Sequence, residues 1–152
     1  MYFIGIDVGK SGAVAVINKT TKKVYDCPLI KNKTKKVIDI NSLYLILSSF
    51  SANSTVLVEN VHAFPGQGVV SMFSFGKGFG IYLGLLTALE MKYKLVTPQK
   101  WKKEFNLKGK NKKDSIAVAK KLFPNIKITK SKDGRADALL IAEYGRRLYL
   151  NP

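Results

Sequence analysis

Four acidic residues lie in or beside apolar stretches of the sequence, where a buried carboxylate needs a bound cation or a proton to neutralise its charge. Asp7 and Glu59 each end an apolar run with β-strand character, and Asp133 and Asp137 open the last helical segment. A spacing of four residues places the latter pair about 40° apart on an ideal helix, so both side chains can face one point. Burying an unpaired carboxylate is costly. These positions therefore favour a cation-binding site.

The residue types select the cation. The chain has a single histidine, His62, and a single cysteine, Cys27, and neither has zinc-ligand spacing. Carboxylates alone favour Mg²⁺, with Mn²⁺ as a substitute, and two such ions about 4 Å apart catalyse phosphodiester hydrolysis. Two ordinary roles remain open at this stage, because Asp7 could simply begin a turn and Asp133 could be a helix N-cap.

The surrounding pattern predicts an α/β fold in a single domain, residues 1–152. Apolar runs predict strands at 2–7, 13–17, 22–29, 54–60 and 93–97, and helical periodicity predicts helices at 39–50, 69–91, 98–105, 112–123 and 134–150. The basic segment 31–36 is predicted to be a mobile loop. Ligand sites of open sheets gather at the carboxyl ends of strands, which is where Asp7 and Glu59 fall.

The long second helix carries small residues at every fourth position, namely Gly76, Gly80, Gly84 and Ala88. Each interior glycine costs about 1 kcal/mol relative to alanine, so a close backbone neighbour is expected to offset it. That neighbour is either the protein's own sheet or a second copy of the helix. The apolar run 79–89 within this helix is too short to span a bilayer.

The charge balance points to a polyanionic partner. Lysine and arginine number 26 against 10 acidic residues, a formal net charge of +16. Such an excess is typical of nucleic-acid-binding proteins, and a membrane surface is the weaker candidate because no separate basic amphipathic helix is present. One cysteine and the lack of a signal-peptide pattern predict a cytoplasmic protein.

These motifs resemble those of the RuvC-type Holliday junction resolvases, especially bacteriophage members. The similarity rests on Gly-Ile-Asp7-x-Gly, Val-Glu59 after a strand, and Asp133-Gly-Arg-Ala-Asp137-Ala. It implies a ribonuclease-H-like fold with a five-stranded mixed sheet in the order 3-2-1-4-5, flanked by helices. It also implies a homodimer that nicks opposing strands of a four-way junction with divalent metal.

The resemblance assigns roles to particular residues. Asp7, Glu59 and Asp137 match the catalytic, metal-binding acids, and Asp133 lies one position before the place of the fourth, where this chain has Gly134. Phe64 matches an aromatic wedge used at the junction centre. The basic residues expected to contact DNA are Lys102, Lys110, Lys112, Lys113 and Arg135. No obligate protein partner is implied.

A competing interpretation is a non-catalytic nucleic-acid-binding protein with the same fold. A passive binder would gain affinity by losing its acidic cluster, so the full set of acids favours the nuclease. An actin-like ATPase shares the Asp7-x-Gly turn but needs two domains, and this chain is too short for two.

Overall fold

The computed structural model describes residues 1–150, and it consists of a mixed β-sheet with helices on both faces. The strands are β1 (Tyr2–Asp7), β2 (Ala13–Ile17), β3 (Lys22–Asp26), β4 (Leu29–Asn32), β5 (Lys35–Ile38), β6 (Ser54–Glu59) and β7 (Tyr93–Val96). The helices are α1 (Ile40–Ser48), α2 (Val69–Ala88), α3 (Pro98–Glu104), α4 (Lys112–Leu122) and α5 (Gly134–Leu150), with a short 3-10 helix at Lys130–Lys132.

The main sheet has five strands in the order β3-β2-β1-β6-β7. β1 pairs antiparallel with β2 and parallel with β6, so it lies at the centre of a mixed sheet. This is the predicted arrangement, with the numbers of the last two strands shifted because β4 and β5 precede them.

A second, two-stranded sheet replaces the mobile loop predicted at 31–36. Leu29–Asn32 pairs antiparallel with Lys35–Ile38 through a two-residue turn. The loop prediction was wrong because lysines conceal the strand pattern. The predicted third strand is also shorter and ends at Asp26, since Pro28 lacks the N–H that a continued ladder requires.

Alternate residues of β1 supply the two halves of the core. Phe3 packs with the buried residues of α3, α4 and α5, whereas Ile4 and Ile6 pack with those of α1 and α2. Helix α5 lies so close to β1 that a Cβ atom at Gly5 would stand 2.2 Å from the Ala138 carbonyl oxygen. This approach brings the start of α5 to the end of β1.

Helix α2 is buried on one side only. Gly78, Tyr82 and Leu86 face the core, whereas a Cβ atom at Gly76, Gly80 or Gly84 would meet nothing within 4 Å. Packing of the glycine stripe against the protein's own sheet is therefore excluded. Within residues 1–150, α2 is also the one helix that is long and apolar enough, by length and composition alone, to cross a membrane. The run 79–89 was predicted to be too short to span a bilayer, and it covers only part of this helix.

Candidate active site

Three separate segments bring the predicted acids to one edge of the main sheet. Ile6 of β1 is paired in parallel with Val58 of β6, so Asp7 and Glu59 follow on neighbouring strands. Asp137 lies in the first turn of α5, and Asp133 immediately precedes that helix. The structure thus places all four carboxylates in one region, as the strand-end pattern indicated.

Gly134 allows this convergence. A Cβ atom there would lie 2.3 Å from the Ser11 carbonyl oxygen and 3.0 Å from Oδ2 of Asp7. Any side chain would push α5 away from the β1–β2 turn. The packing therefore excludes an acidic side chain at residue 134, and the nearest carboxylate before Asp137 belongs to Asp133.

Trp101 of α3 is a site residue that the sequence did not single out. Its side chain is fully buried, and its indole Nε1–H donates a 2.9 Å hydrogen bond to Oε1 of Glu59. Glu59 is itself buried. The hydrogen bond therefore fixes the orientation of a carboxylate that has little freedom to find another donor.

Replacing Trp101 with phenylalanine tests this positioning role. The substitution keeps most of the apolar contact and removes the donor, so we expect nicking to slow by about 10–100-fold and the magnesium requirement to rise. DNA affinity should stay unchanged. Single-turnover rates across a magnesium titration measure both effects.

Phe105→Leu is the matched control, because Phe105 packs in the same core cluster and Leu lacks any hydrogen-bonding group as well. It should lower the melting temperature without changing the magnesium requirement. An equal shift in both variants would mean that Trp101 acts only through packing.

The clustered acids repel one another and are shielded from water. Burial first, and then the carboxylates of Glu59, Asp137 and Asp133, raise the pKa of Asp7 well above its ordinary value. Burial and Glu59 raise the pKa of Asp137 to about 6. Burial also raises the pKa of Glu59, against the opposing hydrogen bond from Trp101. A bound cation would relieve this repulsion.

These raised pKa values predict an unusual pH dependence of the metal-free protein. The folded state holds protons that the unfolded chain releases, so stability falls as pH rises from the ordinary carboxyl value of 3.8 through about 6 for Asp137. The loss associated with Asp137 is roughly 1–3 kcal/mol. Urea unfolding in a chelator at about pH 4 and about pH 8 measures it. Asp137→Asn should flatten the dependence, and an equally steep loss in that variant would contradict the assignment.

Two lysines lie against the acids. The Lys112 ammonium donates to Oδ2 of Asp133, and this contact raises the pKa of Lys112. The Lys102 ammonium lies 5.4 Å from the centre of the Trp101 ring. Burial raises the pKa of both Glu59 and Asp137, and the charge of Lys102 offsets part of that rise. Within residues 1–150, the Asp133 carboxylate thus accepts from a lysine and accepts no hydrogen bond from the backbone N–H groups of α5.

The donor set fits a hard divalent cation, because it consists of carboxylate oxygens on a rigid sheet edge and a helix start. In their present rotamers, the side chains of residues 1–150 form no closed group of three or more acidic, histidine or cysteine residues around a single metal position. The Lys112–Asp133 contact contributes to this, since an ammonium holds one of the four carboxylates.

The remaining predicted DNA contacts have different environments. Phe64 is 62% exposed, which removes the alternative that its ring folds into the core. Lys110 and Lys113 are exposed near the start of α4, whose Lys112 contacts Asp133. Arg135 is instead paired with Asp26, through a 2.9 Å hydrogen bond from Nη2 to Oδ2, and also donates to the Lys127 carbonyl oxygen. Its guanidinium already has protein partners.

The fold is that of RuvC. The chain superimposes on RuvC of T. thermophilus in complex with a Holliday junction substrate with a TM-score of 0.67 and 15% identity, covering 97% of this chain and 96% of that one. A further Thermus thermophilus RuvC structure gives a TM-score of 0.61 and 17% identity over the same shares. The predicted ribonuclease-H-like fold is confirmed.

A protein with a similar sequence is also named as a Holliday junction resolvase. The chain is 37% identical over 91 residues to the chloroplastic Holliday junction resolvase MOC1 of Chlamydomonas reinhardtii. The match includes 57% of this chain but only 10% of that protein's length. No protein-family model matches the chain. The resemblance to bacteriophage members stays a prediction.

Proposed function

We propose that the protein is a structure-selective endodeoxyribonuclease that resolves Holliday junctions and other branched DNA by paired nicks. The observation that carries the proposal is the convergence of Asp7, Glu59, Asp133 and Asp137 on a RuvC fold. The positive net charge of the protein attracts the phosphate backbone of DNA. The acidic cluster is negative, so it requires bound metal before a phosphate can approach it.

Asp7, Glu59, Asp133 and Asp137 would hold the metal, with Mg²⁺ as the expected ion, Mn²⁺ as a substitute and two ions as the expected number. When bound, the metal polarises the scissile phosphate and lowers the pKa of the attacking water. The protein's own contribution is positional. Trp101 orients Glu59, and Gly134 permits α5 to approach β1.

Two neighbouring lysines offset part of the negative charge of the acids. Lys112 holds Asp133 in the free protein, and we infer that it exchanges this partner for a DNA phosphate when metal occupies the carboxylates. Lys102 already offsets the charge of Glu59 and Asp137. Both ammonium groups would then stabilise the negative charge that develops on the phosphate.

Helix α2 is proposed to form a homodimer interface. Its unpartnered face combines the small residues of the stripe with Val69, which is 84% exposed. Two such faces related by a twofold axis would bury this apolar surface and place one acid site on each side of a nearly symmetric junction.

Gly80→Lys tests the dimer, because the added side chain meets nothing within one protomer but cannot be buried between two. We expect sedimentation to show a monomer whose fold, by circular dichroism, is unchanged. A dimer that persists in Gly80→Lys would place the interface elsewhere.

The nuclease proposal is tested by incubating the protein with a labelled four-way junction or a linear duplex of the same sequence, with and without magnesium. Nicks in two opposing strands of the junction, dependent on magnesium and missing from the duplex, are the expected result. Cleavage of both substrates at similar rates would argue for a nuclease of another specificity.

The second candidate is a non-catalytic protein that binds branched DNA. The Lys112–Asp133 ion pair favours it, since a lysine engaging an acid partly substitutes for a metal. Tight junction binding with no nicking at any magnesium or manganese concentration would establish this alternative.

A further inference from the structure

The β4–β5 hairpin carries four exposed lysines within six residues, Lys31, Lys33, Lys35 and Lys36. We propose that this hairpin binds the phosphate backbone of a duplex DNA arm outside the cleavage centre. The inference rests on the proposed function, since it identifies a surface by which the nuclease would hold its substrate.

The first observation is an uncompensated repulsion. Lys31 lies directly opposite Lys36 in the hairpin register, and like charges in such a pair destabilise a β-ladder. The segment between Cys27 and Ile38 contains no acidic residue. Within residues 1–150, none of the four lysines takes part in an ion pair. An external polyanion would supply the missing counter-charge.

The second observation is the turn of the hairpin. Lys33 occupies it with a φ of 54°, in the left-handed region where glycine or asparagine is usual. A lysine at this position adds a charge to the tip at a conformational cost. Within residues 1–150, Lys33 takes part in no ion pair that could offset this cost.

The third observation is continuity with the acids. A groove of about 480 Å³ between the hairpin and α2 is lined by Lys10, Lys35 and Lys77, with Val37 and Phe73 among its apolar residues. Lys10 also lines the neighbouring cavity of about 300 Å³, which contains Asp7, Asp133 and Asp137. The lysines therefore form a path from the acid site to the hairpin.

This path fits a duplex rather than an isolated anion. A strand whose phosphate reaches the acids can continue over Lys10 and Lys77 towards the hairpin. There the two faces of the ribbon present Lys35 on one side and the Lys31–Lys36 pair on the other. Backbone contacts of this kind add affinity without sequence preference.

The test compares Lys33→Gln/Lys35→Gln, which neutralises the tip of the hairpin and its groove side, with a matched control, Lys120→Gln/Lys121→Gln. The control removes the same charge from the exposed end of α4, away from the groove. Affinity for a fluorescent four-way junction and for a linear duplex is measured by anisotropy between about 50 and 200 mM salt.

We expect the hairpin variant to lose affinity on both DNAs and to reduce the salt slope by up to about 1.8, since each phosphate contact contributes about 0.9. Over that salt range its affinity would fall about 12-fold less than that of the wild type. Its melting temperature should equal or exceed that of the wild type, because repulsion among the lysines of the hairpin falls. The control should keep the wild-type slope.

A hairpin variant with the wild-type slope, or with no greater change than the control, would overturn the proposal. The outcome is separate from that of the nuclease proposal. If the wild type fails to nick junctions, a changed slope on the linear duplex still supports the hairpin. If nicking occurs and the slope is unchanged, only the hairpin inference fails.

Discussion

Replacing Asp7 with asparagine is expected to reduce the rate of junction nicking by about 10³-fold or more, because metal catalysis supplies several kcal/mol of transition-state stabilisation. Asp7 ends the central strand, and burial together with the other three acids raises its pKa. An asparagine keeps the shape but cannot supply the same charge to a divalent cation. Single-turnover nicking of a labelled junction in magnesium measures the loss.

Two further readouts separate this effect from misfolding. Junction affinity without metal should be equal or higher, because a negative charge has left the phosphate site, and the metal-free melting temperature should rise slightly, because carboxylate repulsion falls. Glu90→Gln removes an exposed acidic charge elsewhere and should cut at the wild-type rate. Appreciable nicking by Asp7→Asn in magnesium would refute the metal-site assignment.

Phe64→Ala is expected to slow nicking by about 5–150-fold, which corresponds to the 1–3 kcal/mol returned when a ring stacks on a base. Phe64 lies in the loop after Glu59 and is held on a tight turn, since Gln67 accepts a 2.7 Å hydrogen bond from the Phe64 backbone N–H. Bases at a junction centre are already poorly stacked across the crossover. An exposed ring can therefore enter there at low cost.

The exposure of the ring also predicts an unchanged melting temperature for Phe64→Ala. Phe64→Trp and Phe64→Tyr should retain nicking, because both keep a flat aromatic surface. Tyr44→Ala removes an exposed aromatic from α1, a helix that carries none of the four acids, and should behave like the wild type. A Phe64→Ala enzyme that nicks junctions at the wild-type rate would contradict the wedge role.

Much of the fold could be predicted because its strands are short apolar runs that end abruptly. β1 and β6 are buried on both faces, so their sequences are almost continuously apolar and Asp7 and Glu59 stand out at their ends. Asp137 was visible for the same reason, as a carboxylate among alanines and leucines.

Other features depend on contacts that no local pattern contains. Trp101 appears in the sequence as an ordinary apolar residue of a short helix, and its partner Glu59 is 42 residues away. Gly134 has a meaning only once its hypothetical Cβ is seen to meet Ser11 and Asp7. The lysines of β4 and β5 interrupt the apolar alternation that marks a strand, so that hairpin resembled a loop.

The measurement that tests the central claim most directly is digestion of a supercoiled plasmid carrying an extruded cruciform, with wild-type protein in magnesium. We predict a linear product, because the proposed dimer would carry two acid sites and would nick opposing strands of the junction within a single complex. Asp7→Asn should yield no product, and a plasmid without the cruciform should stay supercoiled. Nicking of both plasmids at equal rates, or no cutting of either, would contradict the account.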